Sequence, residues 1–272
     1  MATTEAGFSA KDVMALRRKT GLGMMDCKKA MAQNNGDMAA AEQWLRTKLK
    51  GKMAGRTDRE TGEGRIGIIV EGSSAAIVEI RTETDFTARN EEFVSMVLDI
   101  TRLAMTHPAG PVRIDDEITR RIDDVRIKTA ENVNFARGEK LEGGSFGTYL
   151  HHDGKRAAII QLDGTADDDV LTGICQHIVA HVPPPVGIAE SDVPADRLEQ
   201  IRDDARREAS DSGKPAEIVE KIAKGKVRKF LQQNTLLNQI YVKDPAGKTT
   251  VGTLLPAGVS ITRFLSYTVG AD

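Results

Sequence analysis

Residues 66–80 read IGIIVEGSSAAIVEI and carry the clearest strand pattern in the chain. Two apolar runs, residues 66–70 and 76–80, flank the turn-forming sequence GSS at 72–74. Apolar runs of this length, bounded by turn residues, are typical of β-strands, and their spacing predicts a hairpin. Helical patterns lie on both sides of this hairpin, so the sequence indicates an α+β fold.

The segment that follows the hairpin predicts a loop at residues 81–89 and then a helix. Asn90 is a suitable N-cap, and Glu91 and Glu92 place negative charge in the first turn, where the helix dipole favours it. Apolar residues then recur at spacings of three and four until Pro108, which ends the helix. A further amphipathic helix is predicted at about residues 115–131.

A similar order of elements follows in the second half of the chain. Strand-like segments at residues 132–141, 145–151 and 155–162 precede a helix that begins after three aspartates at 167–169. We therefore expect two related α+β subdomains, each with a small antiparallel sheet covered by helices on one face.

Two highly charged helical stretches, at about residues 194–211 and 215–233, follow three prolines at 183–185. Their apolar residues form a narrow seam, which is typical of an antiparallel coiled coil. The sequence thus predicts a projecting arm at about residues 190–233. The tail predicts a helix or turn at 251–255 and a closing strand at 260–269.

Upstream of the hairpin, residues 51–65 are rich in glycine and charge and predict a linker. Residues 1–50 contain three short helical patterns and predict an N-terminal three-helix bundle of UBA-like type. The expected organisation is therefore the bundle at 1–50, the linker at 51–65, a first core subdomain at 66–140 and a second at 141–272 that contains the arm.

The charge balance argues against nucleic acid as a direct partner. The 38 basic residues nearly equal the 40 acidic residues, so the net charge of −2 offers no overall basic surface. No apolar run approaches the roughly 18 residues of a membrane span. Residues 1–13 lack the apolar core of a secretory signal, so we expect a cytoplasmic protein. The two distant cysteines, Cys27 and Cys175, predict neither a disulfide framework nor a thiolate zinc site.

Three short motifs lack the context that their chemistry needs, so we expect no cofactor, no metal and no catalytic residues. Residues 62–67 match G-x-G-x-x-G but precede a strand, whereas a dinucleotide-binding loop follows one. Residues 247–249 (GKT) resemble the end of a P-loop, but Val242 replaces its first glycine. His177 and His181 share a helix face without an evident third zinc ligand, so we expect them to be exposed or at the core edge.

Two stretches resemble the elongation factor Ts family. Residues 16–30, LRRKTGLGMMDCKKA, closely resemble its amino-terminal signature, and residues 83–90, ETDFTARN, are similar to its core signature around Thr-Asp-Phe. The order of the predicted parts also matches, so the resemblance covers essentially the whole chain. Two departures are modest: the family often has an aliphatic residue where Thr87 stands and commonly leucine where Met31 stands.

The resemblance implies a guanine nucleotide exchange factor for the GTPase elongation factor Tu, which acts in translation elongation by protein binding and is not an enzyme. It implies that Thr84, Asp85, Phe86 and Thr87 insert near the magnesium site of that partner. Phe86 would act as an apolar wedge, and Asp85 would hydrogen-bond the displaced groups. On the residues alone, Phe86 would instead fold onto its own sheet and Asp85 would cap the turn.

The resemblance also implies secondary contacts, made by Leu16, Met24, Met25 and His151. Leucine and methionine at helical spacing are more often core than interface. Met24 and Met25 cannot both face one core, however, because adjacent helical residues point about 100° apart, so we expect one to be exposed. The arm would contact the partner or a second copy, which leaves a dimer of heterodimers open.

Two other functions stay open on the residues alone. The chain could be a binding module without exchange activity, since small three-helix bundles also bind ubiquitin-like proteins or peptides. It could also be a small hydrolase that uses Asp85 with a histidine. A scaffold would bind elongation factor Tu without accelerating GDP release, and a hydrolase would turn over a substrate with no GTPase present.

Overall fold

The computed structural model describes residues 7–271 and divides them into two compact units. Within the described range, the first unit contains residues 7–69, 76–140 and 269–271, and the second contains residues 70–75 and 141–268. Both units combine helices with a small sheet, so the α+β class is confirmed. The expectation about a secretory signal rests partly on residues 1–6, which lie outside the described range.

The first unit begins with three helices and continues into a sheet with three more. In chain order its elements are α1 (Ala10–Thr20), α2 (Met24–Gln33), α3 (Met38–Ala54), β1 (Glu63–Glu71), β2 (Ser74–Thr82), α4 (Asp85–Arg89), α5 (Glu91–Thr106), β3 (Gly110–Pro111), α6 (Asp116–Thr129) and β4 (Val133–Glu142). The tip of the β1–β2 hairpin and the end of β4 are assigned to the second unit.

The three N-terminal helices start and stop at capping residues. Ser9 and Asp12 form a reciprocal capping box at the start of α1, and Gly21 ends it in the left-handed conformation with φ 72°. Asp37 caps α3 by accepting a hydrogen bond from the Ala40 amide at 3.0 Å. Helix α3 extends to Ala54, so the first four residues of the expected linker are helical.

The first sheet has the strand order β1-β2-β4-β3, with β3 and β4 antiparallel. Residues 133–142 form β4 of this sheet, so grouping the strand pattern at 132–141 with those at 145–151 and 155–162 was wrong. Helices α5 and α6 supply most of the apolar side chains that pack on this sheet. The buried cluster consists of Ala76, Val78, Ile80, Phe93, Met96, Val97, Ile100, Ala104, Val112, Ile118, Ile122, Val125 and Val133.

The second unit has a three-stranded antiparallel sheet of β5 (Ser145–Leu150), β6 (Arg156–Asp163) and β7 (Ser260–Thr268), in that order. Helix α7 (Asp168–Ala180) packs on this sheet. The approach is close at Gly147, where an added Cβ would lie 2.6 Å from the Leu171 Cβ. Any larger residue at position 147 would push α7 away from the strand.

Two helices, α8 (Ala195–Asp211) and α9 (Ala216–Asn234), form an antiparallel hairpin in the second unit. The Arg206 side chain binds both carboxylate oxygens of Glu220, with a shortest distance of 2.7 Å. The seam between the helices is narrow and built largely from small residues. Its buried members are Ala205, Ala209, Val219, Ala223, Val227 and Leu231. None of the helices in residues 7–271 is long and apolar enough to cross a membrane.

Replacing Phe93 by alanine should lower the free energy of unfolding by about 3–5 kcal/mol, because Phe93 is fully buried and its loss leaves a cavity. Urea unfolding followed by circular dichroism measures the change. Leu98→Ala is the matched control, since Leu98 lies on the same helix with 38% of its surface exposed. Equal losses in the two variants would contradict the assignment of this core.

Candidate functional site

Phe86 is the most conspicuous apolar side chain on the first unit, because 84% of its surface is exposed. It lies on α4, within a segment that was expected to be a loop. The expectation from the residues alone, that Phe86 folds onto its own sheet, was wrong. Fully burying a phenylalanine stabilises a protein by about 1.5–3 kcal/mol. Because Phe86 stays exposed, this protein lacks a stabilisation of that size.

Helix α4 forms because its first turn is capped and its inner face is buried. The Thr84 hydroxyl accepts a hydrogen bond from the Thr87 amide at 3.3 Å, so Thr84 is the N-cap of α4, whereas Asp85 was expected to cap a turn. Asp85 instead forms an ion pair with Arg89, one turn later, at 3.1 Å. Thr87 and Ala88 are buried, and this orientation turns Phe86 outward.

Groups distant in sequence hold both ends of α4. The Glu131 carboxylate accepts hydrogen bonds from the Thr84 amide at 3.1 Å and from the Thr84 hydroxyl at 2.7 Å. At the other end, Arg65 Nε donates to the Ala88 carbonyl at 2.8 Å. Burial raises the pKa of Glu131, but hydrogen bonds from Thr84, Thr87 and Thr82 outweigh it, so the pKa lies below the usual value of a glutamate.

A cleft beside Phe86 brings three segments of the first unit together. It is lined by Gly21 after α1, by Thr87, Asn90 and Glu92 around α4 and α5, and by Lys128 and Thr129 at the end of α6. Lys128 and Glu92 form an ion pair across it. The exposed phenyl ring therefore lies at the edge of a cleft lined mainly by polar side chains.

The secondary candidates on the three-helix bundle differ in exposure. Met25 is 73% exposed and Met24 is 37% exposed, whereas Leu16 is fully buried in the core of the bundle. Met24 also lines an apolar groove, together with Phe8, Val13 and Met14. Of these three candidates only the two methionines have exposed side chains, and Leu16 belongs to the core that supports their helix.

His151 lies in the second unit, directly after β5, at the tip of the β5–β6 hairpin. Its Nδ1 lies 2.8 Å from the Tyr149 hydroxyl, and its ring packs against His152 with a centroid distance of 4.3 Å. The turn itself is closed by Asp153, whose carboxylate accepts a hydrogen bond from the Lys155 amide at 2.8 Å. A partly exposed imidazole is thus held in a defined position.

His177 is fully buried, so the expectation that it is exposed or at the core edge was wrong. Its Nδ1 accepts a hydrogen bond from the Val242 amide at 3.2 Å, and its Nε2 lies 2.9 Å from the Gln239 Oε1. Because an amide N–H can only donate, Nε2 carries the proton and the imidazole is neutral. Its role is structural, and within residues 7–271 no group of three metal-ligating side chains is present.

The two glycine-containing motifs also have structural roles. Residues 63–67 lie in β1, and β2 follows it, so no helix N-terminus is available for a phosphate. At residues 247–249, the amides of Lys248 and Thr249 donate to the Asp244 carboxylate at 2.8 and 2.6 Å. In a P-loop such amides would bind phosphate, but here they already donate to the carboxylate of Asp244.

Comparison with known protein families identifies the family of this chain. Residues 83–271 match the family model described as elongation factor TS, and residues 3–52 match the model described as the N-terminal part of mitochondrial elongation factor Ts. The chain belongs to the elongation factor Ts family. It is therefore a translation elongation factor by family, and its Thr-Asp-Phe segment falls within the larger match.

Curated members of the elongation factor Ts family are similar over nearly the whole chain. The elongation factor Ts of Paracidovorax citrulli is 34% identical over 97% of this chain and 91% of its own length. That of Thioalkalivibrio sulfidiphilus is 36% identical over 97% and 92%, and that of Pediococcus pentosaceus is 37% identical over 97% and 93%. The resemblance of residues 16–30 and 83–90 to this family is confirmed.

The second unit should lose stability as the pH falls below about 6.5, the usual pKa of histidine in an unfolded chain. Burial lowers the pKa of His177, the hydrogen bond to Gln239 partly opposes this, and His181 lowers it further. The unfolded state therefore binds the proton more readily, so stability is complete above pH 6.5 and falls towards the lower folded pKa. One such group contributes at most about 1.4 kcal/mol per pH unit.

Urea unfolding between pH 8 and pH 5 tests this, with tyrosine fluorescence as the probe because all three tyrosines lie in the second unit. His177→Gln should flatten the pH dependence. His152→Gln, which changes an exposed histidine, should leave it intact. A pH dependence that persists in His177→Gln would assign the effect to another group.

Proposed function

We propose that this protein binds the GTPase elongation factor Tu and accelerates the release of its GDP, acting as a guanine nucleotide exchange factor and not as an enzyme. Membership of the elongation factor Ts family supports the class of function. The observation that supports the mechanism is the 84% exposure of Phe86 on a helix anchored at both ends. A water-exposed phenyl ring on a supported backbone suits insertion into another protein.

In this mechanism the segment of Thr84, Asp85, Phe86 and Thr87 enters the nucleotide-binding domain near the magnesium ion. GTPases of this kind hold the nucleotide phosphates with a glycine-rich loop and with magnesium. Phe86 separates partner side chains beside that loop, and Asp85 exchanges its pairing with Arg89 for hydrogen bonds to the displaced groups. The phosphates then lose compensating charge, and GDP leaves without touching the exchange factor.

The energetics require a larger interface than one side chain provides. Weakening GDP binding by ~10⁴-fold needs about 5.5 kcal/mol of differential interaction. Burying one phenylalanine contributes about 1.5–3 kcal/mol. We therefore assign further contacts to Met24 and Met25, which are exposed on the three-helix bundle and supported from beneath by Leu16, and to His151 at its hairpin tip.

The proposal extends to the organisation of the chain. We assign the three N-terminal helices, the last of which runs to Ala54, to a UBA-like bundle, the segment from 55 to 65 to a linker, and 66–140 and 141–268 to two core subdomains. The helical hairpin within residues 190–233 would be a coiled-coil arm that contacts the partner or a second copy, as in a dimer of heterodimers. We place the protein in the cytoplasm, with no direct nucleic acid or membrane partner.

Stopped-flow release of a fluorescent GDP analogue from purified elongation factor Tu tests the function. The wild-type chain should accelerate release, and Phe86→Ala should lose at least tenfold of that acceleration, because about 1.4 kcal/mol of lost wedge interaction corresponds to a factor of ten. The variant should keep its thermal stability, since the side chain is exposed.

Ile114→Ala is the matched control, because Ile114 is also an exposed apolar side chain of the first unit, with 55% of its surface accessible. It should release GDP at the wild-type rate. Binding without acceleration by the wild-type chain would favour a scaffold. Turnover of a substrate in the absence of elongation factor Tu would favour a hydrolase.

A further inference from the structure

Helix α4 is too short to hold Phe86 in place by itself. It contains five residues, whereas isolated helices shorter than about 12–15 residues are marginal in water. The exposed Phe86 side chain adds little packing of its own. The conformation of this segment must therefore come from the groups that bind its backbone and its cap.

Glu131 is the group with the most bonds to this segment. One oxygen of its carboxylate accepts hydrogen bonds from the Thr82 hydroxyl at 3.0 Å and from the Thr84 amide at 3.1 Å. The other oxygen accepts from the Thr84 hydroxyl at 2.7 Å. That hydroxyl in turn accepts from the Thr87 amide, so Glu131 fixes the orientation of the residue that caps α4.

A second set of hydrogen bonds joins the segment around Thr84 to the segment around Glu131, and in this set the second segment is the donor. The Asn132 amide donates to the Glu83 carboxylate at 2.6 Å, next to the bonds that run from Thr84 to Glu131. The Asn132 side chain also donates to the carbonyls of Thr57 and Arg59, at 3.0 and 2.8 Å. The backbone next to Glu131 is therefore fixed by its own hydrogen bonds. As a result, the Glu131 carboxylate cannot move far if the segment around Thr84 shifts.

The backbone conformation of Ala130, which is left-handed, places Glu131 in this position. Ala130 ends α6 with φ 58°, a conformation that residues other than glycine, asparagine and aspartate rarely adopt. The turn directs the chain from α6 into β4 and leaves Glu131 beside Thr82 and Thr84. The surrounding bonds must offset the unfavourable backbone of Ala130.

We propose that Glu131 is the positioning residue for the Phe86 wedge, an inference that rests on the proposed exchange function. By binding Thr82 and Thr84 it keeps α4 formed before the partner arrives. The partner then meets a wedge of fixed geometry, and no ordering of the segment is needed at the moment of insertion. Glu131 itself touches neither the partner nor the nucleotide.

A carboxylate suits this place better than a carboxamide. The threonine hydroxyls and the Thr84 amide that bind Glu131 all donate, and a carboxylate accepts at both of its oxygens. A glutamine would present an NH₂ group to one side, so one of the present bonds would be lost or reversed. The change keeps the volume of the side chain, which makes Glu131→Gln a mild test of the charge and acceptor geometry.

The experiment measures GDP release from elongation factor Tu over a range of exchange-factor concentrations. Glu131→Gln should lower the limiting rate about tenfold, since one hydrogen bond to a charged group is worth about that factor. The half-saturating concentration should change by less than about twofold, because the methionine surface of the bundle is unaltered. Thr82→Val should act in the same direction, and Thr82→Ser, which keeps the hydroxyl, should restore the rate.

A double-mutant cycle separates positioning from general stability. In the Phe86→Ala background, Glu131→Gln should have almost no further effect on the rate, because the wedge that it positions is gone. Asp115→Ala is the stability control, since Asp115 caps the other end of α6 by accepting from the Ile118 amide at 2.8 Å. It should lower the melting temperature without slowing release.

The outcomes are distinct. If Phe86→Ala alone leaves the rate unchanged, the proposed function of the wedge fails. If Phe86→Ala slows release but Glu131→Gln does not, the positioning role fails alone. If Glu131→Gln slows release equally with and without Phe86, or Asp115→Ala slows it as much, Glu131 acts through overall stability and the inference is overturned.

Discussion

A phenyl ring can remain in water at a defined position only if the backbone beneath it is held by other contacts. Helix α4 has one turn, an exposed apolar residue and no length from which to derive helical stability. The Glu131 carboxylate and the Arg65 guanidinium bind its two ends, and the buried Thr87 and Ala88 fix its inner face. The proposed wedge depends on this support more than on any property of Phe86 itself.

The support also explains how a small element could act on a tightly bound nucleotide. Exchange is a coupling between two ligands of one GTPase, so the factor by which the exchange protein weakens GDP binding equals the factor by which GDP weakens the exchange protein. A mobile loop would lose part of that coupling to its own ordering, at about 1–2 kcal/mol per residue fixed. In the proposed mechanism, an α4 that is already ordered leaves this free energy available for the interaction with the GTPase.

The sequence predicted the α+β class, the hairpin of β1 and β2 and most helix starts, because these follow from local periodicity and capping residues. It did not predict α4, since five residues are too few for a periodic pattern. It grouped the strand pattern at 132–141 with the strands that follow it, although β4 pairs within the first sheet, because strand partners depend on long-range pairing. Phe86 was found through the family signature and not through its chemistry. Glu131 was missed altogether, since 47 residues separate it from Thr84 and no local signal joins them.

A photo-crosslink from position 86 tests directly whether Phe86 enters the nucleotide site of the GTPase. A benzophenone amino acid placed there would report what the side chain touches in the complex with nucleotide-free elongation factor Tu. If Phe86 acts as the proposed wedge, crosslinks mapped by mass spectrometry should lie in the nucleotide-binding domain beside the magnesium site. Crosslinks confined to this chain, or to a part of the partner remote from the nucleotide, would contradict this role.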